Sequence, residues 1–209
     1  GRVNGGADLI SIETAQDILE VKAAIFGARA AFEETGRKLP IQISVSLLPN
    51  GGKMLLGTDI SAVLTTLEAL KVDVIGLNCS TGPEDMRDAI RYLGENATTP
   101  VHCIPNAGLP LQGPDGETIF PEKPEPLAAS LGEFVERFGV GIVGGCCGTT
   151  PEHIKAIADR VRDLKPRPRP GKGETLLLSS MMTATPLVQE PRPTMVGERV
   201  NSQGSRRAK

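Results

Sequence analysis

The chain has 209 residues, 39% of them hydrophobic and 23% charged, which lies in the ordinary globular range and is enough for one good core. Its 23 basic and 25 acidic side chains leave a formal net charge of −2, mixed along the chain, so no broad basic face offers itself to nucleic acid or to an anionic membrane. Aromatics at 3% argue against base-stacking platforms, and no apolar run approaches the roughly 20 residues of a membrane helix.

Taken in chain order, a β-branched run "DLISIET" (8–14) leads into a helical pattern over 15–36. "PIQISVSL" (40–47) precedes a helix over 59–70, and "VDVIGLNC" (72–79) one over 83–94. "PVHCIPNA" (100–107) is followed by a Pro- and Gly-rich loop and then a helix over 124–139. Last come "VGIVGGCC" (140–147) and a helix over 151–164, in which Ile154, Ile157, Ala158, Val161 and Leu164 share one face at helical period. The strand starts lie about 30 residues apart, the length of one βα unit.

Five strands alternating with five helices predict an α/β fold with a parallel sheet, either an open doubly wound sheet or part of a (β/α)8 TIM-type barrel. No strand is followed by a glycine-rich phosphate loop, which favours the barrel. A whole barrel takes about 250 residues, so the expectation is its C-terminal part, about five βα units, with three leading units missing and an unpaired strand edge at 8–14. The chain reads as cut from something longer.

Beyond Leu164, "KPRPRPGKGE" (165–174) reads as an extended linker. "TLLLSSMMTATPLV" has weak strand character, and "TMVGERVNSQGSRRAK" ends the chain without completing an element.

In a parallel α/β architecture functional groups gather at the carboxyl ends of the strands. Glu13, Cys79, Asn106, Cys146 and Cys147 all fall there. Four cysteines in an α/β chain without a signal-peptide pattern point to a reducing, cytoplasmic setting and to catalytic or metal-binding thiols.

"CSTGPE" and "CGTTPE" share a design, a cysteine shortly before a proline that suits the first helical position. Thr81 or Gly82, and Thr149 or Thr150, are the candidate caps, with Glu84 and Glu152 in the favourable first turn. A thiol beside a helix N-terminus ionises more readily. Three thiolates from two strand ends supply three ligands for a tetrahedral zinc ion and leave the fourth position open. A substrate thiol bound there would lose its proton and keep its nucleophilicity, an S-alkylation site. The alternative is that these cysteines are simply small buried residues.

Glu13 suits either the ammonium group of an amino-acid substrate or, with Thr14, the cap of the next helix. Asn106 opens a long loop, 107–126, of the kind that serves as a lid. His102 and Cys103 are read as structural residues of their strand.

The motifs "GLNCSTGPEDM", "PNAGLP" and "VGGCCGTTPEHI", in this order, closely resemble the homocysteine S-methyltransferase family over residues 1–165. That resemblance implies a (β/α)8 barrel, zinc on Cys79, Cys146 and Cys147 with homocysteine sulfur as fourth ligand, and Glu13 at the substrate amino group; Asn106, at a strand end on the same rim, is a substrate-binding candidate by its position, the alternative being that it shapes the rim. The resemblance assigns no side chain as acid, base or nucleophile, and Cys103 matches no ligand.

"VGERVNSQGSRRAK" resembles the opening of a pterin-binding barrel, with Glu198 and Asn201 as cofactor-facing polar groups. Residues 166–193 would then link the first barrel to a second that starts at 194. The implied donor is methylcobalamin, recharged from methyltetrahydrofolate in folate and cobalamin domains downstream. Members that use betaine or S-methylmethionine, or a non-catalytic zinc-binding fragment, are the alternatives. The family's first strand carries an aspartate-glycine motif that this sequence lacks, so this chain alone is expected to turn over little or no homocysteine without the missing N-terminal half.

Overall fold

A computed structural model describes residues 3–49, 51–171, 173, 175–190 and 193. Five parallel strands form one sheet in the order β1 (Ile10–Ala15), β2 (Ile41–Val45), β3 (Val74–Asn78), β4 (Val101–Ile104) and β7 (Ile142–Val143). Their crossovers run through α1 (Ile18–Thr35), α2 (Ile60–Ala69), α3 (Pro83–Asn96) and α4 (Pro124–Phe138), and α5 (Pro151–Val161) follows β7. This is a partial (β/α) barrel, as the sequence predicts.

Residue type alternates along the strands and explains the layering. Ile41, Ile43, Val45, Ile75, Leu77, Val101 and Cys103 are buried in one cluster with Val21, Ile25, Leu67, Ile90, Leu93 and Leu127 of the helices. The opposite face is polar: Gln42 Nε2 donates to Ser11 Oγ at 3.1 Å, and Ser44 Oγ donates to Asn78 Oδ1 at 2.6 Å. A sheet with helices on one side and buried polar groups on the other has the sidedness of a barrel wall. Its outer strands are β1 and β7.

His102 lies on this polar face and Cys103 on the apolar one, as adjacent strand residues must. The His102 imidazole sits over Gly76, where a Cβ would stand 2.1 Å from the His102 carbonyl oxygen and 2.5 Å from its ring. Its Nε2 donates to Ile43 O at 3.1 Å, while Nδ1 is buried without a partner. Burial holds this histidine below the usual imidazole range, and pushes the Cys103 thiol, against Met86 Sδ at 3.9 Å, well up. Both residues belong to the wall.

Three elements differ from the expectation. The predicted face of α5 is turned: Ile157 is buried with His153, whereas Ile154 is 46% exposed and Ala158 is exposed. The helix packs mainly on α4, and the side carrying Ile154 and Ala158 is left open beyond the outermost strand.

The 107–126 loop carries a small antiparallel hairpin, β5 (Leu111–Gln112) and β6 (Thr118–Ile119), closed by "GPDG" with Gly116 at φ +82°. The stretch expected as an extended linker is pinned by Arg167 N on Val135 O at 3.2 Å and Arg169 Nη2 on Gly139 O at 2.7 Å. It then folds into a second hairpin, β8 (Leu177–Ser179) and β9 (Ala184–Pro186), against the start of α2. There Asp59 N donates to Met182 O at 2.9 Å and Ala184 N to Ser61 Oγ at 3.0 Å. Among the described residues no helix is long and apolar enough to cross a membrane.

Candidate metal centre

The β3 and β7 ends bring three thiols together. Cys79 Sγ lies 3.8 Å from Cys147 Sγ, and Cys146 Sγ 3.9 Å from Cys147 Sγ, with all three sulfurs within 4.8 Å of one another. Tetrahedral zinc with bonds of about 2.3 Å to sulfur requires ligand sulfurs about 3.8 Å apart. Two of the three separations match that spacing and the third is within 4.8 Å, so the donor set can hold zinc with one position open.

Backbone strain aims the first thiol. Cys79 and Ser80 both take positive φ, 61° and 63°, which costs a non-glycine residue about 1–2 kcal/mol each. The turn is held by Cys79 N on Ile104 O at 3.2 Å and Thr81 N on Cys79 O at 2.8 Å. Strain held in place at one strand end is the kind that persists where a side chain must be aimed.

The cysteine pair is set by the neighbouring strand. Cys146 N donates to Pro105 O at 2.8 Å, Ala107 N to Cys147 O at 2.9 Å, and Cys147 N to Asn106 Oδ1 at 3.1 Å. Gly148, at φ +77°, then lets Phe120 of the lid loop close over it, since a Cβ there would stand 2.2 Å from the ring.

Asn106 is buried, and its backbone N donates to Thr81 O at 2.9 Å. It thus joins the loops after β3, β4 and β7, while its carboxamide nitrogen has no hydrogen-bond partner among the described residues.

Both flanking helices start as the sequence predicts, with Pro83 and Pro151 in the first turn and Gly82 and Thr150 as caps. The α5 cap is a capping box in which His153 replaces the usual Glu or Gln. Its Nδ1 accepts from Thr150 N at 3.2 Å, so Nε2 bears the proton and donates to Glu122 O at 2.9 Å. This ties the lid loop to the helix behind the thiols.

The expectation of easily ionised thiols meets a correction at Cys147. Partial desolvation of the thiol, then the neighbouring sulfurs Cys79 and Cys146, push its pKa up to about 11, so the helix start does not by itself make a thiolate of it. A bound cation would have to do so.

Glu13 is exposed at the end of β1 and accepts from Ser11 Oγ at 2.8 Å. It does not cap α1, whose cap is Asp17, accepting from Leu19 N. Glu198 and Asn201 lie outside the described residues.

Sequence reasoning missed Asn78, the polar residue that ends the otherwise apolar run "VIGLN". It is 3% exposed and joins β1, β2 and β3 beneath the thiols. Its signal was a carboxamide inside a buried strand, which needs several partners to be tolerated there.

Fold and site together define a partial (β/α) barrel that presents a three-thiol, metal-competent rim. The chain belongs to the homocysteine S-methyltransferase family, whose model matches residues 1–161. It is 44% identical over 211 aligned positions to a methionine synthase of Mycobacterium leprae (strain TN), an alignment that takes in 99% of this chain and 17% of that protein. It is 45% identical over 206 positions to a methionine synthase of Mycobacterium tuberculosis (strain ATCC 25618 / H37Rv), again 99% of this chain and 17% of the relative. The chain thus spans about a sixth of the length of these relatives.

Proposed function

We propose that this chain is the zinc- and homocysteine-binding part of a cobalamin-dependent methionine synthase. Cys79, Cys146 and Cys147 would hold zinc, which supplies Lewis acidity that keeps a coordinated thiol in its thiolate form at neutral pH. The observation that carries the reading is the sulfur spacing, 3.8 and 3.9 Å, in a chain of this family.

The protein's own residues have three tasks. Asn78 and Asn106 position two of the three cysteines, Asn78 by donating to Cys146 Sγ and Asn106 by accepting from Cys147 N. Glu13, on the rim, takes the homocysteine ammonium through a charge-assisted hydrogen bond, and the unpartnered Asn106 nitrogen is placed to donate to substrate. The lid loop, pinned through Glu122 O to His153, limits water at the thiols.

The homocysteine sulfur then accepts a methyl group and becomes the thioether of methionine. Methylcobalamin is the donor, recharged from methyltetrahydrofolate by folate and cobalamin domains elsewhere in the parent chain. Residues 1–165 form the partial barrel, 166–193 the connection and 194–209 the start of the pterin-binding barrel, with Glu198 and Asn201 as its cofactor-facing groups. The outer strands β1 and β7 are the edges that a missing N-terminal half would join to close the barrel, and the protein works in the cytoplasm.

X-ray absorption of the zinc-loaded chain tests this. Three sulfur ligands rising to four on adding homocysteine is the expected result, with a Glu13→Gln variant needing more homocysteine for the same change. A sulfur count that homocysteine leaves unchanged would overturn the reading.

A further inference from the structure

The carboxamide of Asn78 has a single permitted orientation. Thr14 N–H, which can only donate, lies 2.9 Å from one of its terminal atoms, so that atom is the oxygen, and Ser44 Oγ donates to the same oxygen at 2.6 Å. The nitrogen therefore faces Thr14 Oγ1 at 2.8 Å and Cys146 Sγ at 3.9 Å. A flipped amide would set its nitrogen against the Thr14 N–H. Thr14 is itself held at φ +57°, at the irregularity that ends β1, and Ser46 Oγ donates to Asn78 O at 2.7 Å. Two strands thus lock the amide so that it offers Cys146 a donor.

The three sulfurs are not equivalent in this respect. Among the described residues, Cys79 Sγ and Cys147 Sγ have only other thiols within hydrogen-bond distance, whereas Cys146 Sγ also has the Asn78 N–H. A donor on a metal-bound thiolate draws charge from sulfur and lowers its nucleophilicity. A site that alkylates a substrate thiolate beside three protein thiolates has to spare the latter.

We propose that Asn78 is a positioning residue whose N–H damps the Cys146 sulfur, protecting this ligand from the alkylation that the substrate sulfur undergoes. This rests on the zinc reading above.

The test uses the 209-residue chain loaded with zinc and treated briefly with iodoacetamide, so that each reacting thiolate forms a C–S bond and releases iodide. Mass spectrometry then gives the Cys146 to Cys147 labelling ratio within the same molecules. Asn78→Asp keeps the oxygen that accepts from Thr14 and Ser44 and removes both N–H donors. The ratio should rise about tenfold, of the order expected for losing one charge-assisted hydrogen bond. Thr14→Val keeps Asn78 but frees its nitrogen side, and should shift the ratio the same way by about threefold.

In the cobalt-loaded chain, the sulfur-to-metal charge-transfer band should move to longer wavelength in Asn78→Asp. General loosening would raise labelling at all three cysteines and leave the ratio where it was. If Asn78→Asp does not fold, Thr14→Val decides. An unchanged ratio in a zinc-loaded variant overturns this inference alone, while a wild-type chain that takes up no zinc overturns the zinc reading and this inference with it.

Discussion

Replacing Asn106 by alanine separates the stability of the rim from its affinity for metal. Asn106 Oδ1 accepts the Cys147 N–H at 3.1 Å, and the variant leaves that donor without its partner. An orphaned buried donor costs about 1–3 kcal/mol, but Cys147 is exposed, so water replaces part of the bond and the lower end, about 1 kcal/mol, applies. The backbone bonds Asn106 N to Thr81 O, Ala107 N to Cys147 O and Cys146 N to Pro105 O all survive.

With a urea dependence of about 2 kcal/mol per molar, the midpoint should fall by only about 0.5 M. The metal should respond far more. Loss of a group that orients a ligand typically costs 10–100-fold in affinity. Competition against a chromophoric chelator would read this directly. A variant with wild-type zinc affinity, or one that unfolds before any metal effect can be read, would refute the argument that Asn106 aims Cys147 rather than merely filling space.

Other perturbations give sharp outcomes. Gly76→Ala drives a Cβ to 2.1 Å from the His102 carbonyl oxygen, which is backbone and cannot step aside, so the loss should be about 3 kcal/mol or more in a thermal melt, and a wild-type melting temperature would contradict the packing described. His153→Ala removes both the capping-box acceptor and the donor to Glu122 O, and should cost about 1 kcal/mol while raising proteolytic cleavage within 107–123; unchanged cleavage would show that the lid is held by other means. Zinc affinity should fall as pH falls: Cys147 is a protonated thiol below about 11 in the metal-free chain, so zinc must displace its proton, at up to tenfold in affinity per pH unit from this residue alone. A pH-independent affinity between pH 6 and 8 would exclude Cys147 as a ligand.

The strands and helices were legible because their signals are local. Period-2 alternation in "IQISV", proline at the first turn of α3, α4 and α5, and glycine at the left-handed ends of α1 and α4 each act within a few residues. The rim cysteines were legible for the same reason, since Cys79 directly follows β3 and Cys146 and Cys147 lie in the turn after β7, which stops at Val143 rather than running on to the cysteines as expected. What could not be read was what depends on neighbours in space. Asn78 matters through Thr14, Ser44, Ser46 and Cys146, all more than 30 residues away in sequence. His153 reads as one more polar residue of a helix until Glu122 is placed beside it.

The α5 face was misread because periodicity gives an apolar stripe but not what lies opposite, and Ile154 has no neighbour beyond β7 to cover it. The two hairpins were underrated. "GPDG" is a turn signal inside a loop otherwise marked by proline, and β8–β9 is secured by Asp59, Ser61 and Ala62, more than 110 residues earlier.

The central claim is that three thiols make one metal site, and zinc content per chain tests it most directly. The purified chain should carry about one zinc, the Cys147→Ala variant should carry little, and homocysteine should slow the removal of zinc from the wild-type chain by a chelator. A folded chain without zinc, or a Cys147→Ala variant that keeps it, would contradict the account.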